Sequence, residues 1–214
     1  MTFRFPAAFR VLLGALLAVL ALPASADIFL LTVDTSALES TTAVIAIQFN
    51  PGPSSPAATA VVSGFSGAAS AGSEPPLGAV SGSLISGPLT LTNDPGLNLF
   101  LQPVTLGTQF TFRVEFAGNV PPPSDGSFFG LSLVDNTTDF NPLLTTDPDG
   151  LLVAVNLSPG QEPAFDIRSS VATVSAVPEP GAWALLLAGL VAVAALRRRG
   201  RAQTRLSLAS SRIH

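Results

Sequence analysis

Short stretches of alternating apolar and polar residues fill the middle of the chain, between residues 27 and 177. In the clearest one, at residues 108–116, apolar side chains occupy every second position, and Thr111, Arg113 and Glu115 lie between them. This period of two is typical of a β-strand with one buried face. Ile45, Ile47 and Phe49 share one face of a second predicted strand, and Phe129, Leu131 and Leu133 share one face of a third. Short apolar segments between turn signals predict strands at residues 28–33, 42–49, 57–65, 89–92, 97–101, 128–134, 151–157 and 170–174.

Turn-forming residues separate these strands, with clusters of asparagine, proline and glycine at residues 50–53 and 93–96 and three prolines at residues 121–123. No window between residues 27 and 177 has a convincing helical period with caps. About seven to ten short strands with frequent turns favour an all-β fold, an antiparallel β-sandwich that resembles a jelly roll. We expect one such domain over residues 27–176, which is long enough to bury a core.

Charge is distributed unevenly along the sequence. Residues 27–177 contain 13 Asp and Glu residues against Arg113 and Arg168 alone, which gives a net charge of −11. Both ends are basic, with two arginines in residues 1–26 and six in residues 197–214. Because an acidic domain cannot neutralise phosphates, we expect no nucleic-acid partner.

Few side chains are available for catalysis. The chain has no Cys, Lys or Tyr, and its single histidine is the last residue, His214. This composition excludes disulfides, Cys/His zinc sites, Ser-His-Asp triads and lysine Schiff bases. A carboxylate-pair glycosidase is a remote alternative, because residues 27–177 have no Trp or Tyr to stack on a sugar ring. We therefore expect a protein without enzymatic activity.

The first 26 residues have the pattern of a secretory signal peptide. Arg4 and Arg10 precede an uncharged stretch at residues 11–22, and small residues follow a proline. We expect signal peptidase to read Ala24 and Ala26 and to cut before Asp27. The alternative is a retained membrane anchor, but 12 apolar residues are short against the ~20 that span a bilayer.

The C-terminal region has three parts in a fixed order. A proline-containing segment is followed by an uncharged stretch of 15 residues at 182–196 and then by arginines. We expect a single transmembrane helix at residues 182–196, which spans about 22 Å and relies on snorkelling arginines to match a core of about 30 Å. The arginines then stay in the cytoplasm and the acidic domain lies across the membrane. The first segment is Val177, Pro178, Glu179 and Pro180, and the arginines are Arg197, Arg198, Arg199 and Arg201.

This order of proline-glutamate-proline, apolar helix and arginines resembles the PEP-CTERM sorting signal of bacteria with a two-membrane envelope and abundant exopolysaccharide. The resemblance implies recognition by an exosortase, a membrane-embedded cysteine transpeptidase, and cleavage near residues 177–180. It also implies an inner-membrane intermediate, followed by release or transfer to the cell surface or extracellular matrix of a Gram-negative-type bacterium. We assign residues 177–201 to this signal and residues 202–214 to a basic tail that family members usually lack.

A second resemblance lies at the start of the middle domain. Residues 34–38 (Asp-Thr-Ser-Ala-Leu) and 47–53 (Ile-Gln-Phe-Asn-Pro-Gly-Pro) are similar to the opening of an uncharacterised group of PEP-CTERM proteins. The similarity implies a shared fold and no known activity. In physical terms, Asp34 and Ser36 suit a turn in which they hydrogen-bond nearby backbone N–H groups.

Calcium is the one candidate cofactor. Asp135, Asp139, Asp147 and Asp149 lie close together in loop-like sequence, and Ca²⁺ takes about 6–8 oxygen ligands of this kind. The spacing is not that of an EF-hand. Turn formation explains the Asp-Pro-Asp-Gly sequence equally well without a metal.

These observations predict an exported, non-enzymatic structural protein of the bacterial cell surface or of an exopolysaccharide biofilm matrix. Signal peptidase, exosortase and the inner membrane are the expected transient partners, and exopolysaccharide is a further candidate. The alternative is a carbohydrate-binding or Ca²⁺-dependent adhesion module, which a β-sandwich supports only by analogy.

Overall fold

The computed structural model describes residues 27–118, 126–158 and 160–177, together with Gly189. Between residues 27 and 177 it contains ten β-strands and one short 3-10 helix at Ser36–Leu38. No helix in the described residues is both long and apolar enough to cross a membrane. The strands are β1 (Asp27–Asp34), β2 (Thr42–Pro51), β3 (Thr59–Ser70), β4 (Val80–Gly82), β5 (Leu89–Thr92), β6 (Leu99–Ala117), β7 (Ser127–Asp135), β8 (Leu151–Leu157), β9 (Ala164–Ile167) and β10 (Ala172–Ala176).

The ten strands form one hydrogen-bonded sheet, in which every pairing between the described strands is antiparallel. Eight of them follow in the order β4-β5-β3-β6-β2-β7-β8-β9. β1 pairs with β6 and carries β10 on its other side. The predicted all-β antiparallel fold is confirmed, and residues 26–177 form one compact unit. The finer prediction of a jelly-roll-like sandwich stays a prediction.

The long strand β6 connects the two ends of the sheet. Its first part pairs with β2, its last part pairs with β1, and β3 runs along its other side. The prediction of two separate strands at residues 97–101 and 108–116 was wrong, because Gly107 between them does not form a turn. A Cβ at Gly107 would lie 2.4 Å from the Gly67 carbonyl oxygen, so glycine permits β3 and β6 to approach closely at this point.

Phenylalanines and aliphatic side chains on the predicted inward faces form the core. Phe110, Phe112 and Val114 on β6 are fully buried, as predicted from their alternation. The predicted inward faces of β2 and β7 are also fully buried and consist of Ile45, Ile47, Phe49, Phe129, Leu131 and Leu133. The sequence pattern therefore identified the core side of three central strands.

Several predicted segments lie outside the described residues. They are the signal peptide at residues 1–26, the sorting segment from Pro178 onward, the transmembrane helix at residues 182–196 apart from Gly189, and the tail at residues 202–214.

Candidate functional site

The four aspartates predicted as calcium ligands divide between two hydrogen-bonded turns in the β7–β8 connection. Asp135 accepts hydrogen bonds from the Thr137 hydroxyl at 2.7 Å and from the backbone and side-chain amides of Asn141, each at 2.9 Å. These bonds, with the Asn141 side chain contributing most, lower the pKa of Asp135. Asp139 is exposed between these two partners in the chain.

Asp147 and Asp149 lie beside Arg168 instead. Nη1 of Arg168 is 3.2 Å from Oδ1 of Asp147 and 3.2 Å from Oδ2 of Asp149, and Nε donates to Asp166 at 2.9 Å. These four residues form what we call the ionic cluster. In the described part of the chain, no three His, Cys, Asp or Glu side chains are arranged to hold a metal ion. Calcium binding stays a prediction, and a guanidinium is the cation that contacts this pair of carboxylates.

The ionic cluster favours the charged forms of Asp147 and Arg168. Partial burial by itself raises the pKa of Asp147, but hydrogen bonds from the Leu151 N–H and the charge of Arg168 outweigh it, and the net shift is downward. The pKa of Arg168 is raised, chiefly by its hydrogen bond to Asp166. Because Asp147 and Asp149 belong to the β7–β8 loop, their contacts with Arg168 hold this loop against the β9–β10 connection, and the Arg168 backbone N–H donates to the Leu152 carbonyl of β8.

A buried asparagine, Asn98, holds three backbone groups, one in β2 and two in different loops. Its side-chain Oδ1 accepts from the Ala79 N–H at 2.8 Å, and its Nδ2 donates to the carbonyls of Phe49 at 3.1 Å and Asp94 at 2.9 Å. Asn98 is 1 % exposed. The sequence prediction placed Asn98 in a strand at residues 97–101 and missed the role of this side chain.

A second buried asparagine, Asn93, acts in the same way on the other side of that turn. Its Oδ1 accepts from the Ala58 N–H at 2.6 Å, and its Nδ2 donates to the Pro56 carbonyl at 2.7 Å and the Ser127 hydroxyl at 2.8 Å. We call Asn93 and Asn98 the amide pair. The signal in the sequence was an asparagine on each side of Asp-Pro-Gly, one directly after β5 and one directly before β6.

A shallow cleft of about 450 Å³ lies between the β2–β3 and β5–β6 loops. Its polar groups are already engaged in the fold: the Asn93 amide holds the backbone, and the Ser55 hydroxyl bonds to Gly52 and Gly126. The cleft therefore offers a ligand little beyond proline rings and the exposed Asp94.

The last strand of the domain ends beside the first. β10 pairs with β1 in a register that places Ala176 opposite Phe29 and Ala172 opposite Val33. One further hydrogen bond follows β10, from the Val177 N–H to the Ile28 carbonyl at 2.8 Å. It is the last hydrogen bond of this ladder within the described residues, and the residue that follows in the sequence, Pro178, has no N–H.

This junction brings together two predicted processing points. Asp27, the predicted first residue after signal-peptide cleavage, begins β1, and Val177, the first residue of the predicted sorting segment, follows β10. The other predicted site residues, Ala24, Ala26, Pro178, Glu179, Pro180 and the arginines from Arg197 to Arg201, lie outside the described residues. The described domain therefore begins and ends at one place on the sheet.

Comparison with known proteins identifies the segment that starts at this junction. A family profile described as the PEP-CTERM protein-sorting motif matches residues 176–199. No curated protein and no solved structure matches the chain. The match confirms the resemblance read from residues 177–201, whereas the similarity of residues 34–53 to an uncharacterised group stays a prediction. The chain therefore carries a PEP-CTERM protein-sorting motif near its C-terminus, which implies an exported, cell-surface-associated protein that an exosortase sorts.

Proposed function

We propose that this chain is a non-enzymatic structural protein of the bacterial cell surface or exopolysaccharide matrix. The observation that carries the proposal is the sorting motif at residues 176–199, joined directly to a folded β-domain. In this proposal, residues 1–26 are a signal peptide and residues 182–196 are a membrane helix until an exosortase cuts near residues 178–180. The processed domain then remains outside the inner membrane.

We further propose that the sheet folds over into two facing layers, as in a sandwich. Two aromatic contacts support this arrangement, because each joins strands that are not neighbours in the sheet. Phe29 on β1 lies 4.4 Å from Phe165 on β9, and Phe116 on β6 lies 5.4 Å from Phe129 on β7, measured between ring centroids. Side chains from opposite layers meet in this way in a packed sandwich core.

The electrostatics of the described acids support a structural role. Asp34, Asp135 and Asp147 all have lowered pKa values, and each accepts hydrogen bonds within a turn. A general acid in a hydrolase needs the opposite shift, a carboxyl whose pKa is raised so that it carries a proton at neutral pH. These three carboxylates shape turns and hold loops, which is the work of a scaffold.

Acidity also suits a matrix protein. The net charge of −11 over residues 27–177 keeps the domain soluble at high local concentration and disfavours collapse onto other anionic polymers. Within the described side chains, every fully buried nitrogen and oxygen atom has a hydrogen-bond partner. The described part of the domain therefore leaves no buried polar side-chain atom that needs a hydrogen-bond partner from another molecule.

The intact mass of the protein from fractionated cells tests the sorting half of this proposal. In a host with an exosortase, we expect the wild-type product to begin at Asp27, to end near residues 178–180 and to leave the inner membrane. A variant with Pro178→Ala, Glu179→Ala and Pro180→Ala should stay in the membrane and retain its C-terminus.

The chain offers a matched control, because Glu162 and Pro163 form another Glu-Pro sequence, inside the domain. The Glu162→Ala, Pro163→Ala variant should be processed like the wild type. Wild-type protein that still ends at His214 in the membrane would refute sorting. Turnover of any member of a polysaccharide panel, abolished by a single Glu→Gln change, would refute the non-enzymatic role.

A further inference from the structure

We propose that the pairing of β10 with β1 controls when the exosortase can reach its sorting motif. We call the β1–β10 ladder, from Ile28 to Val33 and from Ala172 to Val177, the seam. The inference rests on the proposed function, since it requires that this chain is an exosortase substrate. It adds that the folded domain itself limits the rate of cleavage.

No spacer separates the last strand of the domain from the sorting motif in the sequence. The family profile begins at Ala176, which is still a residue of β10, and the final hydrogen bond of the seam uses the N–H of Val177. A cut near residues 178–180 therefore falls within about one to three residues of a hydrogen-bonded strand. Peptidases act on a locally opened chain, so cleavage follows the population in which the flanking residues are unpaired.

The start of β10 is more buried than its end. At its start, Ala172 is buried and lies opposite the fully buried Val33. At its end, Ser175 and Ala176 are exposed, and within the described residues β10 pairs with β1 alone. The end of β10 next to the motif is therefore the end that opens first.

The partner strand, β1, stays in place when the seam opens. Phe29 of β1 contacts Phe165 at 4.4 Å and Phe116 at 6.4 Å between ring centroids, and β1 also pairs with β6 along its whole length. Opening of the seam thus means that β10 peels away from a fixed β1. The residues of β10 that separate from β1 supply the unpaired chain that the transpeptidase needs next to its cleavage site.

A disulfide that locks the seam tests this inference. Phe29 lies opposite Ala176, and the next pair along the ladder, Ile28 and Val177, is hydrogen-bonded. Because bonded and non-bonded pairs alternate in an antiparallel ladder, Phe29 and Ala176 form a non-hydrogen-bonded pair. Cα atoms in such pairs are about 4.5 Å apart, which a disulfide can span. The natural chain has no Cys, so Phe29→Cys with Ala176→Cys can form no other bond within it.

We expect the oxidised lock to slow exosortase cleavage by about tenfold or more in membranes, because the last residues of β10 can no longer open. Addition of reductant should restore cleavage to at least the wild-type rate, since loss of Phe29 loosens the seam. The matched control is Val33→Cys with Ala172→Cys, the same type of pair at the far end. That disulfide holds the start of β10 but leaves its end free, so cleavage should stay close to wild type.

A rescue completes the test. A flexible Gly/Ser insertion of about eight residues between Val177 and Pro178 supplies the missing spacer, and it should restore rapid cleavage even with the Phe29–Ala176 position locked. Cleavage of the locked protein at the wild-type rate would overturn the inference, because the enzyme would then read the paired strand in place. Failure of the insertion to rescue would also overturn it. If the wild-type protein is not cleaved at all, the proposed function itself fails.

Discussion

The amide pair and the ionic cluster both hold loops against the same sheet, but they do so in different surroundings. The two asparagines are almost completely buried, at 5 % and 1 % exposure, and the side chain of each satisfies backbone groups of other segments of the chain. Arg168 is 27 % exposed, and it gathers three carboxylates at the edge of the domain. One cluster is neutral and dry, whereas the other is charged and partly wet.

This difference teaches where polar groups stabilise a fold most. When a buried amide side chain is removed, its backbone partners stay buried without a hydrogen bond to protein or water, and this costs free energy of unfolding. An exposed ion pair that breaks returns its charges to water, so the loss is small. The protein therefore depends more on two uncharged side chains than on its few cations.

The largest expected effect comes from Asn98→Ala. The change removes the partner of the Ala79 N–H and of the Phe49 and Asp94 carbonyls, and we expect the free energy of unfolding to fall by about 3 kcal/mol. Urea denaturation of the domain over residues 27–177 measures it. Asn156→Ala, at an exposed position of β8, is the matched control and should change the free energy by less than about 0.5 kcal/mol. Equal losses in both variants would contradict the burial argument.

A smaller effect is expected for Arg168→Gln. Loss of its contacts with Asp147, Asp149 and Asp166 should lower the free energy of unfolding by about 1 kcal/mol at low salt. The difference from the wild type should shrink in about 1 M NaCl, where the Debye length is near 3 Å, whereas the Asn98→Ala difference should persist. Arg113→Gln, an exposed arginine on β6, serves as the control. A loss from Arg168→Gln that does not depend on salt would show that packing, not charge, is responsible.

The smallest effect is expected for Asp135→Asn. Because hydrogen bonds lower the pKa of Asp135 below its ordinary value of 3.8, its carboxylate stabilises the fold at neutral pH. This contribution is fully present above pH 3.8 and is lost as the pH falls through the lower pKa of the folded state. We expect the variant to melt about 2 °C below the wild type at pH 7, with the two Tm values converging in acid.

Asp139→Asn in the same loop is the control for that measurement, and its Tm difference from the wild type should stay small throughout. A gap between Asp135→Asn and the wild type that widens on acidification would contradict the assigned direction of the pKa shift.

Much of the sheet was predictable because a strand with one buried face alternates apolar and polar residues in the sequence. The strand at residues 151–157 was predicted with its observed ends, and the inward faces of β2, β6 and β7 were read correctly. The strands β4 and β9 were missed, because these short strands at the two ends of the sheet bury no side chain fully and show no regular alternation, unlike the equally short β5. The two strands predicted at residues 97–101 and 108–116 are parts of one strand, because β6 runs through Pro103 and Gly107.

The candidate sites divide in the same way. The sorting motif was found from sequence because it is contiguous and its chemistry is read as a linear string. The ionic cluster was not, since Arg168 and Asp147 are separated by 21 residues and meet only after β8 and β9 form. The amide pair was missed for a similar reason: the backbone groups that need an amide can be identified only from the folded loops.

The seam has a further consequence for export. Because β1 is made first and β10 last, the outer side of β1 has no partner until residue 177 has crossed the membrane. A chain held up in transit, or cut short, displays an open strand edge of the kind that promotes aggregation and attracts proteases. Closure of the sheet therefore requires a complete domain: β10 can pair with β1 only after the chain has been exported as far as residue 177, where the matched sorting motif has already begun.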